Sequence, residues 1–318
     1  MTEEKAVAES LLVVGSIAFD SIRTPHGEAP EVLGGSATYF SVAASFFAPV
    51  RLVGVVGEDF PPQYRRVLES RRIDTAGLQV VPGGKTFRWR GSYHGAMNEA
   101  RTEDVQLNVF GDFRPTVPDD WRDSRLVFLA NGSPLTQAAV LDQVRRPDLV
   151  VADTMNLWID TQREALLDLM KRVDGLVLND GEARMLSGEH NLMAAAHKIV
   201  GLGPKFVVIK KGEHGSLLVC HCGPRVGMIS SDLVCPLPGY PSLKVFDPTG
   251  AGDSFAGGMM GYLASKGQYD FRDLVRGMAY GTVTASFTIE DFSVRRLERL
   301  TLEEIEGRLQ MYRGMLEF

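Results

Sequence analysis

Short runs of apolar residues recur along the chain, and longer stretches with a different apolar spacing separate them. The runs are strand-sized and apolar throughout, as expected of parallel strands that are buried on both faces. They cover 11–15, 52–56, 126–130, 149–152, 175–178 and 206–210. Between them, 36–48, 135–144, 161–173 and 191–200 place apolar residues three or four positions apart, which is the spacing of amphipathic helices. This alternation predicts an α/β fold in which helices pack on a mainly parallel sheet.

In one region, the apolar residues recur at every second position instead. Between 86 and 116, Phe87, Trp89 and Tyr93 alternate with polar residues, and the apolar residues from 105 to 109 do the same. That period is typical of half-exposed antiparallel strands. The stretch 21–33 contains Pro25, Gly27 and Pro30 and has turn chemistry. We therefore expect one large domain over 11–318, with a small β lid built from about 21–33 and 86–116, behind a disordered tail over 1–10.

Charge and cysteine content narrow the class of protein. The 318 residues carry a formal net charge of -6, and bulk binding to nucleic acid or to anionic membranes depends on clustered Lys and Arg. We therefore expect neither partner. The first residues lack the basic and apolar segments of a signal peptide, so a cytoplasmic location is expected. Cys220, Cys222 and Cys235 lack the paired spacing of a zinc site, and no role is assigned to them.

The strongest chemical signal is the segment Asp247-Pro-Thr-Gly-Ala-Gly-Asp-Ser-Phe-Ala-Gly-Gly258. Gly250 and Gly252 allow a tight turn in which successive N–H groups converge, and the helix that follows turns its positive end to the same point. This arrangement predicts an anion hole. Asp253 lies in the first helical turn, where its carboxylate can accept a proton from an attacking hydroxyl. The alternative is an ordinary glycine-rich helix start with a favourable early aspartate.

This segment resembles the C-terminal signature of the ribokinase-like (PfkB-type) carbohydrate kinase family, D-x-T-G-A-G-D-x-F-x-G-G, at every fixed position. The resemblance covers about 11–293. It implies a ribokinase-like three-layer α/β/α sandwich with a small β lid. It also implies that Asp253 is the catalytic base and that Gly250, Ala251 and Gly252 hold the transferred phosphoryl group.

Further matches imply where the acceptor binds. Val14 to Asp20 resembles the first strand of the family, which ends in an Asp that binds substrate hydroxyls, and the chain then shows the Gly-Gly signature of the family. Tyr39 stands where many members carry an Asn that reads a sugar hydroxyl. The implied acceptor residues are Asp20, Gly34, Gly35, Tyr39, Asn131 and Asn156.

The nucleotide side is matched by shorter motifs. Asn179 and Glu182 resemble the N-x-x-E motif, which organises water around Mg²⁺ and the phosphates; taken alone, the two residues also fit a helix capping box. The implied ATP-binding residues are Asn179, Lys211, Gly212, Gly215, Thr249, Ala279 and Tyr280. Members of the family commonly hold a monovalent cation at a Gly-Ala turn, whereas this chain has 289–293 in its place, so potassium activation stays open.

Together these observations predict an ATP- and Mg²⁺-dependent kinase that phosphorylates a hydroxyl group of a sugar or sugar-like polyol, with Asp253 as base. The alternative acceptor is a nucleoside, because Phe87, Trp89 and Tyr93 can stack on a base. A catalytically silent binding or scaffold relative is the remote alternative, and the retained Asp253 and anion-hole glycines argue against it. A homodimer formed through the lid is compatible with the exposed face of 105–109.

Overall fold

The computed structural model describes residues 9–221 and 233–317. Cys222 and most of the expected N-terminal tail lie outside these residues. The strands are β1 (Leu11–Val14), β2 (Ala18–Thr24), β3 (Gly27–Gly34), β4 (Val50–Gly57), β5 (Ile73–Val81), β6 (Phe87–Tyr93), β7 (Ala100–Gln106), β8 (Leu126–Leu129), β9 (Leu149–Asp153), β10 (Gly175–Asn179), β11 (Phe206–Lys210), β12 (Ser216–Cys220) and β13 (Leu233–Leu237).

Helices alternate with these strands as the apolar spacing predicted. They are α1 (Ser36–Ala44), α2 (Pro62–Glu69), α3 (Pro134–Leu141), α4 (Asn156–Thr161), α5 (Arg163–Met170), α6 (Asp180–Ser187), α7 (Leu192–Val200), α8 (Ala251–Lys266), α9 (Phe271–Thr288), α10 (Arg295–Arg299) and α11 (Leu302–Leu316). The helix predicted over 161–173 is observed as α5, and Gln162, whose backbone leaves the helical region at φ -132° and ψ 36°, separates it from α4.

In the described residues, nine strands form the central sheet in the order β13-β12-β11-β10-β9-β8-β1-β4-β5. The strands from β5 to β11 in this order run parallel, and β12 and β13 are antiparallel additions at one edge. Alternate residues of β1 enter two separate apolar cores: Leu11 and Val13 pack with α1, α8 and α9, and Leu12 and Val14 pack with α5, α6 and α7. The fold is therefore a three-layer α/β/α sandwich.

The second sheet consists of β2, β3, β6 and β7, in the order β3-β2-β6-β7, and is called the small sheet below. The parallel pairing of β2 with β6 puts Asp20 beside Trp89 and Ile22 beside Gly91. Residues paired in this way project to the same face of a sheet. The face that carries Asp20, Ile22, Trp89 and Tyr93 is called the inner face. The hairpin strand expected near 105–109 lies earlier, at 100–106, and Asn108, with φ 48°, stands in a tight turn beyond it.

The order in which the chain adds strands to the sheet reverses at β1, which lies between β8 and β4. In open α/β sheets, ligands collect outside the carboxyl ends of the strands at such a switch point. Ser36, the first residue of α1, donates its hydroxyl hydrogen bond to the carbonyl of Asn131 at 3.0 Å and so joins the two diverging halves. Among the helices of the described residues, none is long and apolar enough to cross a bilayer.

Candidate active site

Polar residues end four neighbouring strands of the central sheet. Asp153, Asn179 and Lys210 are the last residues of β9, β10 and β11, and Asn131 follows β8. The carboxyl ends of parallel strands meet at one edge, so these side chains share one side of the molecule. The amino-terminal turn of α8 lies over the same edge, because a methyl group added to Gly252 would come within 3.0 Å of Lys210 Nζ.

The turn before α8 has the geometry of an anion site. Gly250 caps the helix in the left-handed region, with φ 73°. The amides of Gly250 and Gly252 make no hydrogen bond with any residue that the structure describes, whereas the N–H of Ala251 donates to the carbonyl of Pro248 at 3.1 Å. Of the three amides predicted to hold the phosphoryl group, that of Ala251 closes the turn, and those of Gly250 and Gly252 stay open to a ligand.

Asp253 has the electrostatic properties of a general base. Burial and the neighbouring Asp153 raise the pKa of its carboxyl to about 7, while the charge of Lys210 opposes the rise. A carboxyl with this pKa is partly ionised at neutral pH and accepts a proton readily once ionised. Asp253 lies one residue after Gly252, so base and anion hole belong to the same helical turn.

Lys210 and Asp153 form an enclosed ion pair that the sequence analysis did not single out. Lys210 Nζ lies 3.2 Å from Asp153 Oδ2, with 17% and 4% of the two side chains exposed. Burial alone would lower the pKa of Lys210, but Asp153, Glu182 and Asp253 hold it above its ordinary value. The sequence feature that could have identified Lys210 and Asp153 is the position of each at the end of an apolar strand. Lys211, which the resemblance implies as an ATP-binding residue, follows the strand, and its N–H donates to the carbonyl of Gly215 at 2.7 Å.

Asn179 and Glu182 form the capping box that was the alternative reading of their motif. The N–H of Asn179 donates to Glu182 Oε2 at 2.7 Å, and the N–H of Glu182 donates to Asn179 Oδ1 at 2.8 Å. The Glu182 side chain is nevertheless buried, and burial together with Asp153 raises its pKa to about 7. A buried carboxylate so close to another one favours a cation at this site.

The donor set fits Mg²⁺ bound mainly by water and phosphate. Glu182 and Asp153 supply carboxylate oxygens, which Mg²⁺ prefers. In the part of the chain that the structure describes, no three His, Cys, Asp or Glu side chains converge tightly enough to hold a metal ion themselves. That agrees with a magnesium ion that keeps several waters and arrives with a nucleotide.

Asp20 lies against the Gly-Gly turn. Gly35 has φ 94°, and its backbone N–H favours the ionised form of the Asp20 carboxyl. Burial and the charge of Asp247 outweigh that effect and raise the pKa of Asp20 to about 8. A methyl group on Gly34 would overlap the Asp20 carboxylate. Gly34 therefore leaves space for that carboxylate.

Tyr39 is an enclosed part of the site. Only 1% of it is exposed, and its ring lies so close to Gly250 that a methyl group there would overlap it. Its hydroxyl lowers the pKa of Asp20, which places it beside that carboxyl, yet it makes no well-formed hydrogen bond with a described residue. Tyr39 thus connects the acceptor carboxylate to the anion turn.

The inner face of the small sheet closes over this region. Ile22, Val32, Tyr93 and Met97 form a buried apolar cluster, with Trp89 packed against it. Thr249 donates its hydroxyl hydrogen bond to the Tyr93 hydroxyl at 3.2 Å, so the small sheet touches the turn that precedes α8. The nearest neighbours of Asp20 on this face are therefore apolar and aromatic.

The remaining residues predicted to bind acceptor or ATP have the following contacts. Asn131 Oδ1 accepts a hydrogen bond from Trp158 Nε1 at 3.0 Å, and Asn156 is exposed at the start of α4. Tyr280 stacks on Tyr262 and donates its hydroxyl hydrogen bond to Glu306. Its neighbour Ala279 is partly buried against the core beside α8.

The turn after β11 is tied to the small sheet. Gly212 begins a short 3-10 turn, and Gly215 ends it with φ 83°. Asn98, in the loop between β6 and β7, donates its amide to Glu213 at 2.8 Å. The small sheet therefore contacts both the Thr249 turn and the loop predicted to border ATP.

Replacing Gly34 by Ala should weaken acceptor binding selectively. The added methyl group displaces the Asp20 carboxylate, so we expect the KM for the acceptor to rise by about 100-fold, as for the loss of a charged hydrogen bond. The KM for the nucleotide should stay within a few-fold. Steady-state kinetics with each substrate varied in turn measure both constants, and an equal rise in both would contradict this role of Gly34.

Comparisons with known proteins show the family of this chain. Residues 129–299 match the family model of the pfkB family carbohydrate kinases. A cytidine kinase from Thermococcus kodakarensis is 30% identical over 255 residues, which is 79% of this chain and 87% of that protein. The range 129–299 contains the Gly250 turn, the Asp153–Lys210 pair and Glu182.

Solved structures share the fold at lower identity. A nucleoside kinase from Burkholderia thailandensis, solved with inosine, superposes with a TM-score of 0.74 at 18% identity and covers 96% of this chain and 98% of its own. An E. coli protein assigned as a ribokinase II, solved with ATP and Mg²⁺, gives a TM-score of 0.76 at 18% identity over 95% of this chain and 99% of its own. The three-layer sandwich is thus the ribokinase-like fold.

Proposed function

The chain belongs to the pfkB family of carbohydrate kinases and is a phosphotransferase that acts on a hydroxyl group of a sugar or nucleoside; within that activity, we propose that the acceptor is a nucleoside and that the donor is ATP with Mg²⁺. The observation that carries the acceptor class is the inner face of the small sheet. One carboxylate, Asp20, stands there beside the apolar and aromatic side chains of Ile22, Trp89 and Tyr93.

A carboxylate beside an apolar face suits a ligand with one half that carries hydroxyl groups and another half that is flat and apolar. The Asp20 carboxylate can accept hydrogen bonds from two hydroxyl groups, as a ribose diol would supply. The aromatic rings offer a flat apolar surface that matches a nucleobase, and base–aromatic stacking contributes about 1–3 kcal/mol. A free sugar or inositol has hydroxyl groups on every side, and the apolar face would leave some of them unpaired.

The transfer step follows from the residues at the sheet edge. Asp253 removes the proton from the attacking hydroxyl of the acceptor, and the amides of Gly250 and Gly252 stabilise charge on the γ-phosphoryl group. Glu182, through water, would help to hold Mg²⁺, which neutralises the phosphate charges when it is bound. The small sheet, acting as the predicted lid, excludes water from the reaction and so limits hydrolysis of ATP.

A panel of acceptors tests the proposal by coupled ADP release. We expect kcat/KM for cytidine, uridine, adenosine or inosine to exceed that for ribose, fructose and myo-inositol by about 10- to 100-fold, the ratio that stacking supplies. Trp89→Ala should lower kcat/KM for the nucleoside and leave that for ribose unchanged. Arg90→Ala, on the opposite face of the same strand, is the matched control. A preference for a free sugar or inositol would return the acceptor to the sugar class.

A further inference from the structure

The ammonium group of Lys210 lies at the point where the base, the anion turn and the magnesium-facing carboxylate meet. A methyl group added to Gly252 would come within 3.0 Å of Nζ, so the ammonium group lies beside that end of the turn, and its charge acts on Asp253 and Glu182 as well as on Asp153. Its one hydrogen bond with a described residue is the 3.2 Å contact to Asp153 Oδ2. An ammonium group has three donors, so two of them are not used by the described part of the chain.

An ion pair placed here is poorly explained as a device for stability. Taking both charges out of water costs several kcal/mol per ion, and a pair with a single hydrogen bond recovers little of it. An apolar pair at the ends of β9 and β11 would pack without that cost. A buried cation with unused donors beside an anion turn is instead suited to an anionic ligand.

We propose that Lys210 is a catalytic residue that binds the transferring phosphoryl group, and that Asp153 is a positioning residue that orients the Lys210 ammonium. This inference rests on phosphoryl transfer and not on the nucleoside acceptor. It extends the anion site from the two open amides of the Gly250 turn to a full positive charge beneath them.

Lys210 stays protonated throughout the transfer of the γ-phosphoryl group. The acceptor oxygen forms a bond to the γ-phosphorus as its proton passes to Asp253. The bond from the γ-phosphorus to the bridging β,γ-oxygen breaks, and its electron pair leaves with ADP. Lys210 donates hydrogen bonds to the γ-phosphoryl oxygens while the charge shifts between acceptor and leaving group. Asp153 accepts one Lys210 hydrogen bond before, during and after the transfer.

Lys210→Met tests the role of the charge, because Met keeps the apolar stem and removes the ammonium. We expect kcat to fall by about 100-fold, with the acceptor KM within a few-fold, as for removal of one group that stabilises transferring charge. Lys210→Arg should restore part of the loss. The matched control is Lys205→Met at the opposite end of β11, where Lys205 pairs with Asp174 at 2.7 Å on the surface, and its kcat should equal that of the wild type.

The double variant Asp153→Asn/Lys210→Met separates catalysis from charge balance. If Lys210 only neutralised Asp153, removing both charges would restore kcat, and that result would overturn the proposal. We expect kcat of the double variant to stay near that of Lys210→Met while its melting temperature returns toward the wild-type value.

Both measurements use the full chain with MgATP and whichever acceptor the wild type phosphorylates. A failed nucleoside proposal appears in the wild-type acceptor profile, whereas a failed Lys210 proposal appears in the ratio of variant to wild type. The two failures are therefore distinguishable. Unchanged kcat in Lys210→Met would overturn the role of Lys210 with any acceptor.

Discussion

Asp253→Asn should lower kcat by about 1,000-fold or more, because the amide cannot accept the proton of the attacking hydroxyl. Asn has the shape of Asp and can keep the contacts of the first turn of α8, so we expect the KM for MgATP to stay within a few-fold. Steady-state kinetics on the preferred acceptor measure both values. A rate near that of the wild type would show that another group removes the proton.

The next helix supplies a matched control for this substitution. Asp273 occupies the same third position of α9 and accepts the Asp270 N–H in a capping box at 3.3 Å. Asp273→Asn should leave kcat unchanged and cost at most about 1 kcal/mol of unfolding free energy through the weakened cap. A large loss of activity in both variants would point to helix disruption and not to loss of a base.

The raised pKa of Asp253 also fixes the direction of the pH dependence. Its carboxyl has a pKa of about 7, so it is neutral at lower pH and ionised at higher pH, and only the ionised form accepts a proton. Acceptor binding follows the same direction, since the pKa of Asp20 is raised to about 8. The value of kcat/KM for the acceptor should therefore rise from pH 6 to a plateau above about pH 9. In Asp253→Asn, the residual rate should lose the part of this rise that Asp253 contributes.

Gly250→Ala should damage both stability and turnover. The left-handed conformation at φ 73° costs a side chain about 1–2 kcal/mol, and the new methyl group overlaps the Tyr39 ring, which adds about 1–3 kcal/mol of overpacking. Because either Tyr39 or the open amides must shift, we expect kcat to fall by about 100-fold or more. Denaturant titration and kinetics at saturating substrate measure the two effects.

Gly267, at the other end of α8, provides a control that separates backbone strain from steric overlap with a side chain. Gly267 ends α8 at φ 63°, and a methyl group there would meet nothing within 4 Å. Gly267→Ala should therefore show only the backbone cost and keep full kcat. An equal loss of stability in the two variants would mean that Tyr39 yields without cost, and a normal kcat in Gly250→Ala would contradict the role of that turn.

The sequence was most informative where a residue's role depends on its neighbours in the chain. Continuous apolar runs identified β1, β8, β9, β10 and β11, because strands buried on both faces need such runs. The Gly-Ala-Gly-Asp segment identified the α8 turn, since left-handed φ at a helix start requires glycine. The edge strand β5 was absent from the predicted set, because its partly exposed residues weaken the apolar signal.

Roles that depend on contacts distant in sequence were harder to predict. Strand spacing alone does not decide between Lys210 and Lys211, since the choice depends on the register of β11 against β10 and on how α8 covers the sheet edge. The shared face of Asp20 and Trp89 depends on the pairing of β2 with β6. The ring contacts of Tyr280 with Tyr262 and Phe47 likewise depend on how α9 packs, and its role in ATP binding stays a prediction.

The division of the molecule into two sheets has a consequence for how such a kinase can diversify. Ile22, Trp89 and Tyr93, which surround the acceptor carboxylate, belong to the small sheet, whereas Asp153, Lys210, Glu182 and Asp253 lie at the edge of the central sheet and on the helices that follow it. Mutations that reshape the acceptor surface need not disturb the groups that carry charge during transfer. The acceptor surface and the charged sheet edge can thus change independently of each other.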